Sequence, residues 1–197
     1  MAGPTPNEHS LQEVWLVRHA ETEWSKSGRH TGRTDVPLTD AGRDRGRELA
    51  SELAGRAFAL VLTSPLERAR ETARLAGLGD ACEVREDLLE WDYGDYEGVT
   101  TPDIRKDRPD WYLWRDGVPN GETPAEVAAR CDRVIDEVTS VDGDVAIVAH
   151  GHILRALGAR WIEEPVDIGG RLFLATGSVS VLGFEREVRV LRRWNAT

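Results

Sequence analysis

The stretch VWLVRHAETEW, residues 14–24, runs an apolar segment straight into Arg18 and His19 and then into two glutamates. A guanidinium at the end of a buried strand is costly unless it meets solvent or an anion. Two more apolar runs end in related chemistry. ALVLT (59–63) leads to Ser64, with Arg68 following, and VAIVA (145–149) leads to His150 in the triplet HGH. Taken singly, each such residue reads as a solvated strand end. Two arginines and two histidines delivered by three runs read differently. Guanidiniums grip phosphate oxygens bidentately, and imidazole near neutral pH is a nucleophile or a hydrogen-bond donor.

For these side chains to meet, the three runs must lie in one sheet. Each is short, aliphatic or β-branched, and followed by a helical pattern, as buried strands of an α/β sheet are. Ligands of such sheets sit beyond the carboxyl ends of the strands. SPLE (64–67) and TPAE (123–126) each offer a hydroxyl cap, a proline at the first helical position and a glutamate at the third, and Thr39 and Thr101-Pro102 are further candidate caps. Val127, Cys131, Val134 and Val138 recur at helical spacing. SVSVLGFEREVRVLRRW alternates on either side of a short turn, which predicts a terminal β-hairpin. No linker or repeat divides the chain. The expected organisation is a loose tail over residues 1–12 and a single α/β domain over 13–197.

The 197 residues carry a net charge of −10, which argues against nucleic acid and anionic membranes as partners. An anion site must then be a local positive cluster on an acidic protein. No apolar run is long enough to span a membrane, and the polar N-terminus shows no secretory pattern. Cys82 and Cys131 have neither metal-site spacing nor the density of a disulfide scaffold. A reduced cytoplasm is the expected location. His152 completes HGH without a companion ligand cluster, and neither GxxxxGK[ST] nor GxGxxG occurs, so no metal and no cofactor are expected.

Four motifs in order carry a resemblance to a known family. RHAETEW resembles the RHGE motif of the histidine phosphatase superfamily, which includes the cofactor-dependent phosphoglycerate mutases. TSPLERARETA resembles its S-x-L-x-R-A-x-x-T-A helix, EWDYGDYEG the segment with its acid/base glutamate, and AHGHILRAL its second-histidine motif. The resemblance implies a three-layer α/β/α sandwich with a mostly parallel sheet. It implies His19 as phosphoryl-accepting nucleophile, Glu90 as general acid and base, and Arg18, Arg68 and His150 as phosphate-holding groups. Ser25, Arg29, Thr31 and Gly32 fall on the loop where relatives contact phosphate or substrate. Trp91, Tyr93, Trp111 and Trp114 shape the leaving-group side or pack the core, and Arg29 and Arg115 are expected to contact a second anionic group. Ala20 stands where the family usually has glycine, which matters if that position needs positive φ. His30 receives no role.

The implied function is metal-independent hydrolysis of small phosphate monoesters, sugar phosphates or bisphosphates, through a phosphohistidine. A small anionic phosphorylated metabolite is the expected partner, and a homodimer is admitted. The interval from Glu90 to His150 is short beside that of true mutases, so the motifs look closer to sedoheptulose-bisphosphatase-type and small bacterial acid phosphatases. Phosphoglycerate mutase is the first alternative. A non-catalytic phospho-ligand binder is the second, disfavoured because His19 and Glu90 are both present.

Overall fold

The computed structural model describes residues 12–197. The tail expected over residues 1–12 lies outside these except for Gln12. That side chain is buried, with Nε2 2.9 Å from the carbonyls of Val138, Val141 and Gly143, so the chain is anchored before its first strand.

All three apolar runs are strands, as expected: β1 (Val14–Arg18), β2 (Leu60–Thr63) and β4 (Val145–Ala149). They join β3 (Cys82–Val84), β5 (Val179–Glu185) and β6 (Val188–Ala196) in a sheet of order β3-β2-β4-β1-β5-β6. The first four of that order are mutually parallel, and β5 and β6 form the expected antiparallel hairpin. Its turn places Arg186 at φ 57. β3 left no signal in the sequence, because three residues with Glu83 and Val84 exposed show neither apolar run nor alternation.

Alternation along the strands builds two faces. Trp15 and Val17 of β1 pack with Leu49, Leu53 and Ala73 of α2 (Asp40–Leu53) and α3 (Glu67–Leu75), which follow the short α1 (Glu23–Ser27). Val14 and Leu16 join Val145 and Ile147 on the other face. That face is covered by α6 (Pro124–Thr139), through Val127, Cys131, Val134 and Val138, and by α7 (Gly151–Trp161). The result is the three-layer α/β/α sandwich. Between Tyr96 and Thr123 the chain forms only α4 (Thr101–Asp107) and α5 (Leu113–Asp116).

Capping follows the sequence in two places and departs from it in two. Thr123 and Glu126 form a full capping box on α6, and Thr39 caps α2 through Gly42 N–H. The cap of α4 is Thr100 rather than Thr101. Ser64 does not cap α3, which begins at Glu67: its hydroxyl oxygen accepts from Leu66 N–H at 3.3 Å and from His150 Nε2–H at 2.6 Å.

The register brings the strand ends level. Arg18 pairs with Ala149 and Thr63 with Val148, while His19 N–H donates to Ala149 O and Ser64 N–H to Val148 O. One edge of the sheet therefore presents Arg18, His19, Ser64 and His150. Ile147 lies at the centre of the strand that joins these ends and is fully buried. Ile147→Ala should cost about 2–5 kcal/mol in a urea-unfolding measurement; a loss below about 1 kcal/mol would mean that this layer is not the close-packed core.

Candidate active site

His19 is held by its own backbone. Its Nδ1 lies 2.8 Å from Ala20 O, so the ring proton sits on Nδ1 and is donated to that carbonyl. Nε2 is left without a partner at the wall of a cavity of ≈ 210 Å³. Burial first, then the positive charge of Arg68 and Arg18, holds the His19 pKa well below the ordinary histidine value. The ring is therefore neutral, with a lone pair facing the cavity. Ala20 N–H donates to Thr72 Oγ1, and Ala20 is not among the described residues of positive φ, which is why an alanine serves where relatives use glycine.

Behind His19 lies a fully buried layer. The His150 ring centroid is 5.1 Å from that of His19. Arg68 Nε–H donates to His150 Nδ1 at 3.1 Å, which places the His150 proton on Nε2, donated to Ser64 Oγ at 2.6 Å. The other Arg68 N–H groups reach the carbonyls of Thr31, Gly32 and Thr34. Burial and the Arg68 charge push His150 well below its ordinary pKa as well. Arg68 and His150 thus back the cavity and do not line it.

Arg18 does line it. Its Nη1 donates to Leu174 O, its Nε is buried without a partner, and it makes no ion pair among the described residues. A guanidinium without a carboxylate partner at a cavity wall favours anions there. Gly151 makes room for it, since a Cβ there would stand 3.1 Å from Arg18 Cζ and 3.2 Å from Nε.

Glu90 faces the same cavity from the far side of the sheet edge. Its Oε1 accepts from Trp91 N–H and Ile153 N–H, and its Oε2 from His152 N–H, all at 2.9 Å. The last two are among the orphan donors of the first turn of α7, whose N-cap His150 offers no side-chain cap. The glutamate caps the helix from outside, so its position is tied to the second-histidine motif.

The outer wall combines expected and unexpected residues. Ser25, Arg29 and Thr31 line the cavity as expected. Gly32 does not: its N–H donates to both carboxylate oxygens of Glu97, which also accept from Thr34 N–H and thereby hold the loop. Trp91 is a core residue, its Nε1 donating to Glu122 O and its ring packed edge-on to Trp114. Tyr93 reaches the cavity, with its hydroxyl 2.6 Å from His152 Nδ1. Arg115 lies elsewhere, exposed and paired with Asp116 at 2.7 Å, because the carboxylate beside it draws the guanidinium outward.

His30 and His152, for which the sequence indicated no role, both line the site. His30 Nδ1–H donates to Val99 O at 2.7 Å, leaving Nε2 as a bare acceptor. Burial raises the Tyr93 pKa well above the ordinary value, so its phenol donates to His152 Nδ1 and the His152 proton sits on Nε2. The spacing of His152 after His150 was visible, but its phenol partner lies far away in sequence. Among the described residues no group of three or more His, Cys, Asp or Glu side chains is placed to hold a metal ion.

A parallel-edge cavity with neutral buried histidines, carboxylate-free guanidiniums and one tethered glutamate defines an anion-binding α/β protein equipped for phosphoryl chemistry. Residues 14–197 match the histidine phosphatase superfamily (branch 1), and the chain belongs to that family. It is 46% identical over 183 residues to an acid phosphatase of Mycobacterium tuberculosis, covering 89% of this chain and 88% of that one. It is 37% identical over 179 residues to sedoheptulose 1,7-bisphosphatase of Saccharomyces cerevisiae, covering 74% and 66% of the two chains. A solved structure of a Mycobacterium tuberculosis open reading frame superposes with a TM-score of 0.90 at 43% identity, over 95% of this chain and 98% of that one. A mycobacterial glucosyl-3-phosphoglycerate phosphatase in complex with VO3 superposes with a TM-score of 0.84 at 30% identity, over 94% and 100%. The architecture is phosphoglycerate mutase-like, as the motifs implied.

Two predictions follow from this geometry. Gly151→Ala should displace the Arg18 guanidinium and weaken competitive inhibition by inorganic phosphate about ten-fold or more, with the circular dichroism spectrum unchanged. Inhibition at the original strength would show that Arg18 is not held by that contact. The second concerns pH. His19, His30, His150 and His152 all have folded pKa values below the ordinary one, chiefly through burial. Below about pH 6.5 the unfolded chain binds these protons while the folded chain resists them, so stability falls as pH falls, by up to ~1.4 kcal/mol per pH unit for each histidine. Urea midpoints should drop between pH 7.5 and 5.5. Constant midpoints across that range would mean that the four rings are not held neutral.

Proposed function

We propose that this protein hydrolyses small phosphate monoesters, phosphorylated sugars and acids, through a phosphohistidine on His19. The observation that carries the reading is the His19 tautomer: Nδ1–H is tied to Ala20 O, so Nε2 faces the cavity with its lone pair free. In the first step Nε2 attacks phosphorus as the ester P–O bond breaks, and Glu90 gives its proton to the departing alkoxide. In the second step water attacks phosphorus, Glu90 takes a proton from that water, and the P–N electrons return to Nε2 as inorganic phosphate leaves. Arg18, with Arg68 behind it, supplies the positive charge that the transferring oxyanion needs. The family and the phosphatases most similar to this chain support the reading.

Hydrolase is favoured over mutase by the cap. A mutase must keep its phosphohistidine away from water while the intermediate turns over. Here the segment above the cavity carries only the short helices α4 and α5, and Arg29 at the mouth is exposed. Water therefore reaches Nε2 readily.

Rapid quench of the enzyme with a sugar phosphate should trap an acid-labile phosphate that is absent in His19→Ala. Glu90→Gln should slow sugar-phosphate turnover about 10²- to 10⁴-fold while affecting phosphoryl transfer from p-nitrophenyl phosphate far less, since nitrophenolate leaves without a proton. With 3-phosphoglycerate and catalytic 2,3-bisphosphoglycerate, inorganic phosphate should be the main product. Rapid 2-phosphoglycerate formation without phosphate release would make the protein a mutase.

A further inference from the structure

Arg68 is fully buried and touches no carboxylate, and apart from His150 everything that holds it lies on one short loop. Its Nη2–H groups donate to Thr31 O and Gly32 O, both at 3.0 Å, and an Nη1–H donates to Thr34 O at 2.9 Å. Three carbonyls that point their negative ends at one spot repel one another. The loop needs a second grip to keep that shape. The half-buried Glu97 supplies it, accepting from Gly32 N–H at 3.0 and 2.9 Å and from Thr34 N–H at 3.0 Å. Arg33, which the loop carries between those two residues, pairs with Asp92 at 3.2 Å, so Glu97 is left to the amides. Gly32 allows the close approach, since a Cβ there would stand 2.6 Å from Glu97 Oε2.

The Thr31–Gly32 peptide therefore stands between two opposite charges. In a trans peptide the C=O and N–H point in opposite directions. Here the C=O faces the Arg68 guanidinium and the N–H faces the Glu97 carboxylate. The peptide dipole is favourable to both, and each hydrogen bond polarises the other. Burial lowers the Arg68 pKa, and the charges of Glu90, Asp35 and Glu97 act against that lowering. Asp35 pins the far end of the loop to α3, accepting from Glu67 N–H at 2.9 and 3.2 Å where Leu66 offers no side-chain cap. The near end is gripped by backbone alone: Gly98 N–H donates to His30 O at 2.8 Å, and His30 N–H to Val99 O at 3.0 Å. Loss of the Glu97 carboxylate would thus free the stretch whose carbonyls hold Arg68 and leave the His30 end in place.

We infer that Glu97 is a positioning residue for phosphoryl transfer: through the Thr31–Gly32 peptide it fixes the Arg68 guanidinium, and through Arg68 the tautomer of His150. The inference rests on the reading of His19 as the nucleophile in front of that layer. It explains how a buried cation is held by a carboxylate and still keeps its field for an incoming oxyanion. A carboxylate in direct contact would cancel that field, whereas one placed a peptide away orients the guanidinium and leaves most of it.

The test combines kinetics with a readout that needs no turnover, both on the full chain. Arg68 backs the cavity and acts on charge that develops in transfer. Glu97→Ala should therefore lower kcat on p-nitrophenyl phosphate about ten-fold or more per folded molecule, with KM changed less than about three-fold. Lysine is a point charge that cannot span three carbonyls. In an Arg68→Lys background the same Glu97→Ala change should then cost less than about three-fold. With the histidine nitrogens isotopically labelled, NMR should show His150 Nδ1 as a hydrogen-bonded acceptor in the unaltered protein, and Glu97→Ala should shift that resonance. Where Glu97→Ala does not fold, Glu97→Gln sets an amide donor against Gly32 N–H, and the same split is expected with a loss of about three-fold or more. Unchanged kcat per folded molecule, full additivity with Arg68→Lys, or a His150 resonance that stays in place would each overturn the inference. A shifted His150 resonance in a protein that releases no phosphate from any ester would leave the link from Glu97 to Arg68 standing and overturn the phosphatase reading instead.

Discussion

Arg68 is a full positive charge sealed from water, with a histidine and three carbonyls for partners and no carboxylate in contact. Much of the site depends on how that charge is accommodated. Its Nε–H fixes the tautomer of His150, and through it the bond to Ser64. Its remaining donors hold the loop at Thr31–Thr34 against α3. Its field, added to burial, keeps both His19 and His150 neutral. A carboxylate partner would have made Arg68 cheaper to bury and would have removed the field that an incoming oxyanion uses.

The glutamate across the cavity solves a second problem with one group. Helix α7 begins at the cavity wall, where its first N–H groups need partners. Glu90 takes two of them and thereby inherits the rigidity of a helix anchored in the core by Ile153, Leu154 and Leu157. Glu90 and His150 are thereby held to the same end of one helix. Positioning of this kind is more secure than a carboxylate on a free loop.

What the sequence disclosed and what it hid divide along a physical line. Strand ends were legible because a buried apolar run must stop somewhere, and Arg18, His19, Ser64 and His150 mark the stops. The α6 cap and the terminal hairpin were legible because their signals are local. Hidden were contacts between residues far apart in the chain: Tyr93 with His152, His30 with Val99, and Glu97 with the Gly32 and Thr34 amides. Ser64 misled because its pattern fits a helix cap until a histidine from another strand claims the hydroxyl. Arg115 misled because its place in the chain does not say which way its side chain points, and Asp116 draws it outward. Trp91, open to either the leaving-group side or the core, is taken by the core.

The contrast between the positive pocket and the negative exterior also acts as a filter on size. With a net charge of −10 on the whole chain, the outer surface repels any anion whose charges are spread over more than a screening length, about 8 Å at physiological salt. A phosphorylated polymer or an anionic bilayer meets that repulsion along its whole contact area and gains from the pocket at one point only. A compact metabolite passes through the same field with most of it screened, and then lies entirely within reach of Arg18. The net negative charge therefore disfavours extended anionic partners without any side chain clashing with them.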